Sequence, residues 1–211
     1  FFFIQGRRYI AAIARHAEEK TAIFAEGWHS DWSFKEKPPI GTCLKGIIIP
    51  PHGGDTLFAN QHLAYSNLPA ELKEKIEHLT AIHSAVRAYS PDGLYGKPDP
   101  TANSAMQPII SDEARATQPH PLVITHPANG RKAIYGCFGY TLGIAGMEQK
   151  EAEALLIELH AWQTSEANVY RHQWRENMLI MWDNRSVLHR ATGGFEGHER
   201  LLHRTTIWPA N

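Results

Sequence analysis

Cysteine is scarce in this chain. Among 211 residues only Cys43 and Cys137 occur, at no spacing that would form a metal knuckle. Two thiols do not make a disulfide framework, so a reducing, cytoplasmic compartment is expected, although the pair could in principle be joined. An excess of charge is also absent. The 21 basic and 22 acidic residues leave a net charge of −1, so no basic field addresses nucleic acid or an anionic membrane. Long hydrophobic runs are missing: "FFFIQG" is apolar but far too short to span a bilayer and lacks the ordered regions of a signal peptide. There is no internal repeat and no low-complexity tract. What remains, 43% hydrophobic and 20% charged residues, describes a globular chain read as a single domain over residues 1–211. The chain opens without Met inside what reads as a buried strand, and residues before Phe1 are expected. Oligomeric state is left open, and a homo-oligomer is compatible with all of this.

Residues 7–20, "RRYIAAIARHAEEK", read as a short helix with Ile10, Ile13 and Ala14 on one face. "TAIFAEGWHSDWSF" and "PPIGTCLKGIIIPP" read as strands, the second bounded by prolines. "HGGDTLFANQHLAYSNL" opens with a Gly-Gly turn, runs through a strand near Thr56–Ala59 and enters a helix. "PAELKEKIEHL" is an amphipathic helix with Pro69 in its first turn. Residues 89–120 are rich in proline and poor in periodicity, which suits a lid-like insertion. "PLVITHP" and "KAIYGCF" form a hairpin about Asn129-Gly130; "EQKEAEALLIELHAWQT" is the strongest helix, and "YRHQW", "MLIMWDN" and "LLHRTTIWP" are strands. Short strands with Gly/Pro punctuation and few helices indicate a mainly β fold, a sandwich or barrel with flanking helices. Of the thirteen histidines, His52, His62, His78, His120 and His198 sit singly among polar residues and read as surface or capping groups.

The chemistry concentrates in two stretches. In "GWHSDWSF", His29 and Asp31 are two apart, which on a strand points both to one face. In "MWDNRSVLHRATGG", His189 follows a hydrophobic strand closely. If His189 folds back beside the pair, the three make a 2-His-1-carboxylate face, the arrangement of non-haem Fe(II) oxygenases. A zinc site is the rival, although zinc with such ligands is usually tetrahedral with one open position. Open positions on iron call for an electron-donating co-substrate such as a 2-oxo acid, whose far carboxylate needs a fixed cation. Arg200 and Arg204, four apart in "ERLLHRTTI", can supply it from one strand face.

The stretches "WHSDWSF", "GGDTLFANQHLAYSNLP", "ITHPANGRKAIY" and "WDNRSVLHRATGGFEGHERLLHRTTI", in that order from about Trp28 to Ile207, resemble the taurine dioxygenase / chlorophenoxyacetate dioxygenase family of Fe(II)- and 2-oxoglutarate-dependent oxygenases. The resemblance implies a double-stranded β-helix (jelly-roll, cupin-like) core. It makes His29, Asp31 and His189 the iron ligands and catalytic centre, with Fe(II), 2-oxoglutarate and O2 as the reacting set. It gives Thr56 and Arg200 to the distal carboxylate of 2-oxoglutarate, and Arg204 to the neighbourhood of the substrate anion and the chelating end. Trp182 and Asn184 belong to the motif and would support or pack the site. Two departures bear on substrate: Ala25 stands where sulfonate users have asparagine, and Tyr140 replaces a pocket phenylalanine. Taurine is therefore doubtful as substrate. Because the ligand is Asp31, chloride finds no vacant ligand position, which argues against halogenation.

The expected reaction is hydroxylation of a small organic anion (sulfonate, sulfate ester, or aryloxy or alkyl carboxylate) with release of succinate and CO2. Trp32 and Tyr140 would contact the substrate with Arg204; for Trp32 and Phe34 a plain core role is equally compatible. Desaturation at the same centre is an alternative outcome. From a different class, a non-catalytic cupin-like protein would use Arg200 and Arg204 to grip a carboxylate ligand.

Overall fold

The computed structural model describes residues 9–96 and 103–210. The residues that open the chain, where a buried strand was expected, lie outside this range, as does part of the 89–120 segment. Twelve strands and four helices are described. One sheet has the order β1 (Ala11–Arg15), β12 (Arg200–Ile207), β2 (Gly41–Ile48), β10 (Leu179–Asp183), all antiparallel. A second has the order β11 (Val187–Ala191), β3 (Thr56–Asn60), β9 (Val169–His172). A third joins β5 (Thr117–Pro121), β4 (Thr80–Ser84) and β8 (Thr141–Ile144), and β6 (Val123–Thr125) pairs with β7 (Lys132–Ile134) across the Asn129-Gly130 turn. The architecture is the mainly β jelly-roll core with flanking helices.

Between the first two sheets lies an apolar layer of Leu44, Trp174, Trp182 and Leu202, flanked by Ile13 and Phe58. Strand alternation places Thr42 and Leu44 of β2, and Arg200, Leu202 and Arg204 of β12, on the buried face. The helices cover the far side. Helix α1 (Gln61–Asn67) starts where the Asn60 side chain accepts from the His62 and Leu63 amides. Helix α2 (Ala70–Ile76) follows Pro69, α3 (Val86–Tyr89) is a single turn, and α4 (Gln149–Gln163) buries Ala152, Leu155, Leu156 and Leu159 at helical spacing. Helices α1, α2 and α4 pack on Ala81, Ile134 and Ile144 of the smaller sheets and on Leu122 between β5 and β6.

Several expectations are corrected. Residues 11–15 are a strand, not a helix: five consecutive residues pair with Arg200–Arg204, and that ladder outweighs the helical preference of an Ala/Arg/Glu/Lys-rich stretch. "GWHSDWSF" is not a strand either. His29 forms one antiparallel bridge to His189, after which the chain turns, with Trp32 at φ 47°. His189, read as lying beyond a strand, sits in the middle of β11. The irregular segment after Tyr89 ends before Thr117 and not at residue 120, because residues 117–121 form β5. His62 is buried, its ring nitrogen bonded to the Lys132 carbonyl at 2.9 Å, so it is not a surface group.

Candidate metal centre

The site begins with the bridge between β11 and residue 29. The His29 amide donates to the His189 carbonyl at 3.0 Å, and the His189 amide donates back at 2.8 Å. This pair of bonds places the two imidazoles side by side, with ring centroids 4.2 Å apart. The turn after His29 then folds Asp31 under both rings. Asp31 Oδ1 lies 3.8 Å from His29 Nε2 and 3.8 Å from His189 Nε2.

Protonation favours metal binding. His29 Nδ1 lies 2.9 Å from the Gly27 carbonyl, and since a carbonyl only accepts, Nδ1 carries the proton and Nε2 keeps its lone pair. Burial pushes the pKa of both histidines down, most strongly for His189, despite the nearby Asp31 carboxylate. For Asp31, burial pushes upward, but the charge of Arg204, the two histidines and a hydrogen bond from Thr42 outweigh it and hold the carboxyl at about 2. Two neutral imidazoles and one carboxylate are thus ready at neutral pH. Their ligand atoms lie within 4.8 Å of one another. Adjacent ligands on a first-row divalent ion sit about 3 Å apart, given bonds of about 2.1 Å, so small inward shifts close the set. The absence of thiolate among the three favours a metal that accepts imidazole and carboxylate.

Behind Asp31 runs a buried polar chain. Thr42 Oγ1 donates to Asp31 Oδ2 at 2.5 Å and accepts from Asn184 Nδ2 at 3.1 Å. Trp182 Nε1 donates to Asn184 Oδ1 at 2.9 Å, and Ser30 Oγ donates to the Asn184 carbonyl at 2.7 Å. Oδ2 is therefore engaged and Oδ1 is turned toward the imidazoles. Trp182 also packs on the His189 ring, with centroids 4.5 Å apart. Sequence reasoning placed Trp182 and Asn184 near the site. It missed Thr42, whose role depends on cross-strand register and leaves no local signal in "IGTCLKG".

Three more of the expected residues gather in the same cavity, whereas Trp32 and Tyr140 are not among its lining. Thr56, Arg200 and Arg204 line it with His29, Asp31 and His189. Thr56 is held by β3, and its Oγ1 accepts from Trp174 Nε1 at 2.9 Å, which leaves its own proton for another acceptor. Trp174 was read only as part of a strand; an aromatic donor in "YRHQW" carries no motif. Arg200 Nε donates to the Gly54 carbonyl at 3.1 Å. This approach explains the Gly-Gly pair: a β-carbon on Gly54 would lie 3.1 Å from the Arg200 side chain, and one on Gly53 only 2.2 Å from the Gly194 carbonyl oxygen. Burial pushes Arg200 down to about 10, with Asp55 partly opposing, so it stays charged at neutral pH. Among the described residues no carboxylate lies within ion-pair distance of it.

Arg204 Nη2 is 2.8 Å from Asp31 Oδ1, and its guanidinium lies over the Trp32 ring, 4.9 Å from the centroid. Trp32 stacks in turn on Trp208 at 5.4 Å. Tyr140 is buried, its ring edge-on to His29 at 6.4 Å and its hydroxyl 3.4 Å from that of Tyr89. Phe34 packs against Tyr140 at 5.0 Å. Ala25 lines the metal cavity at the position of the missing asparagine. That cavity measures about 50 Å³ and adjoins, through Ile13, Phe24 and Arg200, a chamber of about 640 Å³. The chamber's lining is mostly apolar, including Ile23, Tyr95, Met106 and Phe195.

Known proteins resemble this chain in sequence and fold. An alkylsulfatase of Acinetobacter baylyi is 34% identical over 184 residues, 87% of this chain and 56% of that protein. An alpha-ketoglutarate-dependent 2,4-dichlorophenoxyacetate dioxygenase of Cupriavidus pinatubonensis is 35% identical over 195 residues, 91% of this chain and 63% of that protein. The chain thus spans about three-fifths of the length of these curated relatives. Among solved structures, a taurine dioxygenase from Burkholderia xenovorans matches with a TM-score of 0.77 and 27% identity, covering 98% of this chain and 66% of that one. The structure of AAD-2 in complex with Mn(II) and N-oxalylglycine matches with a TM-score of 0.74 and 30% identity, covering 89% of this chain and 69% of that one. Residues 7–206 match the family described as taurine catabolism dioxygenase TauD, TfdA family, and with the jelly-roll core and the His29–Asp31–His189 cluster in place, the chain belongs to that family.

Proposed function

We propose that the protein is an Fe(II)- and 2-oxoglutarate-dependent dioxygenase that hydroxylates a small organic anion with an apolar body. One observation carries the reading: a buried cation, Arg200, opens into the same cavity as the neutral, preorganised His29–Asp31–His189 set. A buried guanidinium with no carboxylate at ion-pair distance calls for an anion. The distal carboxylate of 2-oxoglutarate fits, held by Arg200 and by the proton that Thr56 has free. A relative in structure binds Mn(II) and N-oxalylglycine, which carries the same pair of carboxylates as 2-oxoglutarate.

In this reading Nε2 of His29, Nε2 of His189 and Oδ1 of Asp31 hold the metal. When bound, Fe(II) with 2-oxoglutarate and O2 supplies the oxidising chemistry, yielding succinate and CO2. The chain's own residues position and shield. Thr42 fixes the carboxylate, Gly27 the tautomer of His29, and Trp182 one face of His189, while Arg204 meets the substrate's anionic head. Trp32 backs the Arg204 guanidinium and Tyr140 packs on His29, and the 640 Å³ chamber receives the apolar body. Ala25 in place of an asparagine makes taurine a poor fit, and sulfate esters, longer sulfonates and aryloxy acids better ones.

Residues 104–110 form part of the chamber wall and are tied down by Glu19, which accepts from Ser104 Oγ and the Ala105 amide at 3.0 Å each; this segment acts as the lid. A cytoplasmic home suits the two free thiols. No described helix is long and apolar enough to cross a membrane.

The test is anaerobic addition of Fe(II) and 2-oxoglutarate, followed by O2 with a panel of sulfonates, sulfate esters and aryloxy acids. A weak visible charge-transfer band is expected with the wild type and not with His29→Ala, together with substrate-dependent succinate. No band and no succinate with any member of the panel would overturn the proposal. Tight 2-oxoglutarate binding without turnover would identify a carboxylate-binding protein instead.

A further inference from the structure

Arg204 occupies an unusual place for a residue that is to meet an anion. Asp31 has two oxygens, and Oδ2 is taken by Thr42 at 2.5 Å. Only Oδ1 faces the imidazoles, 3.8 Å from each Nε2. Arg204 Nη2 sits 2.8 Å from that same oxygen. The guanidinium is held there from behind by Trp32, itself stacked on Trp208 and set at a left-handed backbone conformation. A divalent ion among the three donors would share Oδ1 with a buried positive charge a few ångströms away. At such range, out of water, like charges repel strongly.

We propose that Arg204 couples the metal to the substrate anion: it opposes metal binding while it rests on Asp31, and an anion that pairs with its guanidinium relieves that opposition. Metal and anion then bind with positive linkage, each tightening the other by the same factor. The anion's identity as a substrate head group rests on the oxygenase reading. The coupling itself needs only a metal at the three donors.

The consequence is an order of assembly. In the absence of anion, Arg204 partly neutralises Asp31 and keeps the ligand set intact, while weakening its hold on free metal. Arrival of a sulfonate, sulfate or carboxylate group draws the guanidinium off Oδ1 and strengthens the metal centre when substrate is present. The Trp208–Trp32 stack gives the guanidinium a defined rest position.

The experiment titrates the apoprotein with Mn(II), without 2-oxoglutarate, in chloride and in methanesulfonate at matched ionic strength. For the wild type, methanesulfonate is expected to tighten Mn(II) binding by about fivefold or more. Arg204→Gln is expected to bind Mn(II) about tenfold more tightly than wild type in chloride and to lose the methanesulfonate effect. Arg200→Gln, which removes the other cavity cation, is expected to keep that effect. The proposal is overturned if Arg204→Gln binds Mn(II) no more tightly than wild type, or if its affinity still responds to methanesulfonate. Should that variant fail to fold, a wild-type Mn(II) affinity indifferent to methanesulfonate overturns it equally. A protein that shows the coupling but makes no succinate refutes the oxygenase reading alone, and one that turns over without the coupling refutes this inference alone.

Discussion

Replacing Thr42 by Val tests whether the polar chain behind Asp31 shapes the metal centre. The side chain is fully buried on β2, so Val keeps shape and strand propensity and removes only the hydroxyl. Two bonds go with it, the 2.5 Å donation to Asp31 Oδ2 and the 3.1 Å acceptance from Asn184 Nδ2. A hydrogen bond to a charged group contributes about 1.5–3 kcal/mol, and a stranded buried amide costs about 1–3 kcal/mol. Asn184 keeps its bonds to Trp182 and Ser30, so it stays in place and cannot turn to find water. A loss of about 3 kcal/mol in urea unfolding of the apoprotein is expected.

Metal affinity is the sharper readout. With Oδ2 released, only the Arg204 contact at Oδ1 still restrains the Asp31 carboxylate, and Oδ1 is less firmly aimed at the imidazoles. Outer hydrogen bonds to metal ligands are typically worth 10–100-fold in affinity, and the same range is expected here for Mn(II) by calorimetric titration. Thr42→Ser keeps the hydroxyl and drops one methyl, so it should lose about 1 kcal/mol of stability and little metal affinity. The reasoning is refuted if Val and Ser give equal Mn(II) affinities. It is also refuted if Val tightens the metal, which would mean that Thr42 restrains a carboxylate better used through both oxygens.

Other expected outcomes come from separate contacts. Trp174→Phe removes the donor that orients the Thr56 hydroxyl, and loss of about 1 kcal/mol should raise KM for 2-oxoglutarate about fivefold with kcat nearly unchanged; a fall in kcat at constant KM would contradict the assignment. Gly53→Ala meets a carbonyl oxygen at 2.2 Å at φ 67°, whereas Gly130→Ala, at φ 69°, meets nothing within 4 Å. The first should cost more than about 3 kcal/mol or prevent folding, and the second about 1 kcal/mol; equal urea midpoints would show that the GGDT turn can shift. His83 is fully buried and burial holds its pKa at about 3, against an ordinary value of 6.5, with His120 adding to the effect. The unfolded chain therefore binds this proton first, so the stability due to neutral His83 is complete above pH 6.5 and declines as pH falls toward 3. Between pH 6.5 and 5 this group alone removes about 2 kcal/mol, and His83→Asn should flatten the acid limb by that amount in paired denaturation curves.

Much of the site was legible as residue types, and less of it as geometry. His29, Asp31, His189, Thr56, Arg200 and Arg204 all line one cavity, as their identities suggested. The route by which the first pair converges was misread. Period-two alternation was invoked for His29 and Asp31, but the chain turns after a single bridge, with Trp32 in the left-handed region. Tertiary contacts override local pattern there: the bridge to His189, the stack on Trp208 and the bond to Thr42 select a conformation that the residues alone do not prefer. The same holds for residues 11–15, where Ala and Arg favour a helix and an edge ladder with β12 imposes a strand. Thr42 and Trp174 were invisible because their importance lies in who sits opposite.

Arg200 and Arg204 show when spacing can be trusted. They were placed on one face by counting, and β12 puts both inside with Leu202 between them. That strand lies between β1 and β2, bonded along both edges, so its pleat is held even past the register shift at Leu201/Leu202. Residues 29–31 have one bridge on one side and nothing to keep the alternation going. A two-residue or four-residue spacing therefore transfers to space in proportion to the backbone hydrogen bonds that flank it. In this fold the wall proposed to bind a carboxylate is built on such a doubly bonded strand, whereas the proposed metal pair hangs from a turn. The turn is fixed by side chains, Thr42 on Asp31 Oδ2 and Arg204 on Oδ1. The metal centre should accordingly respond to substitutions at those two positions more than to changes in the strand beneath it.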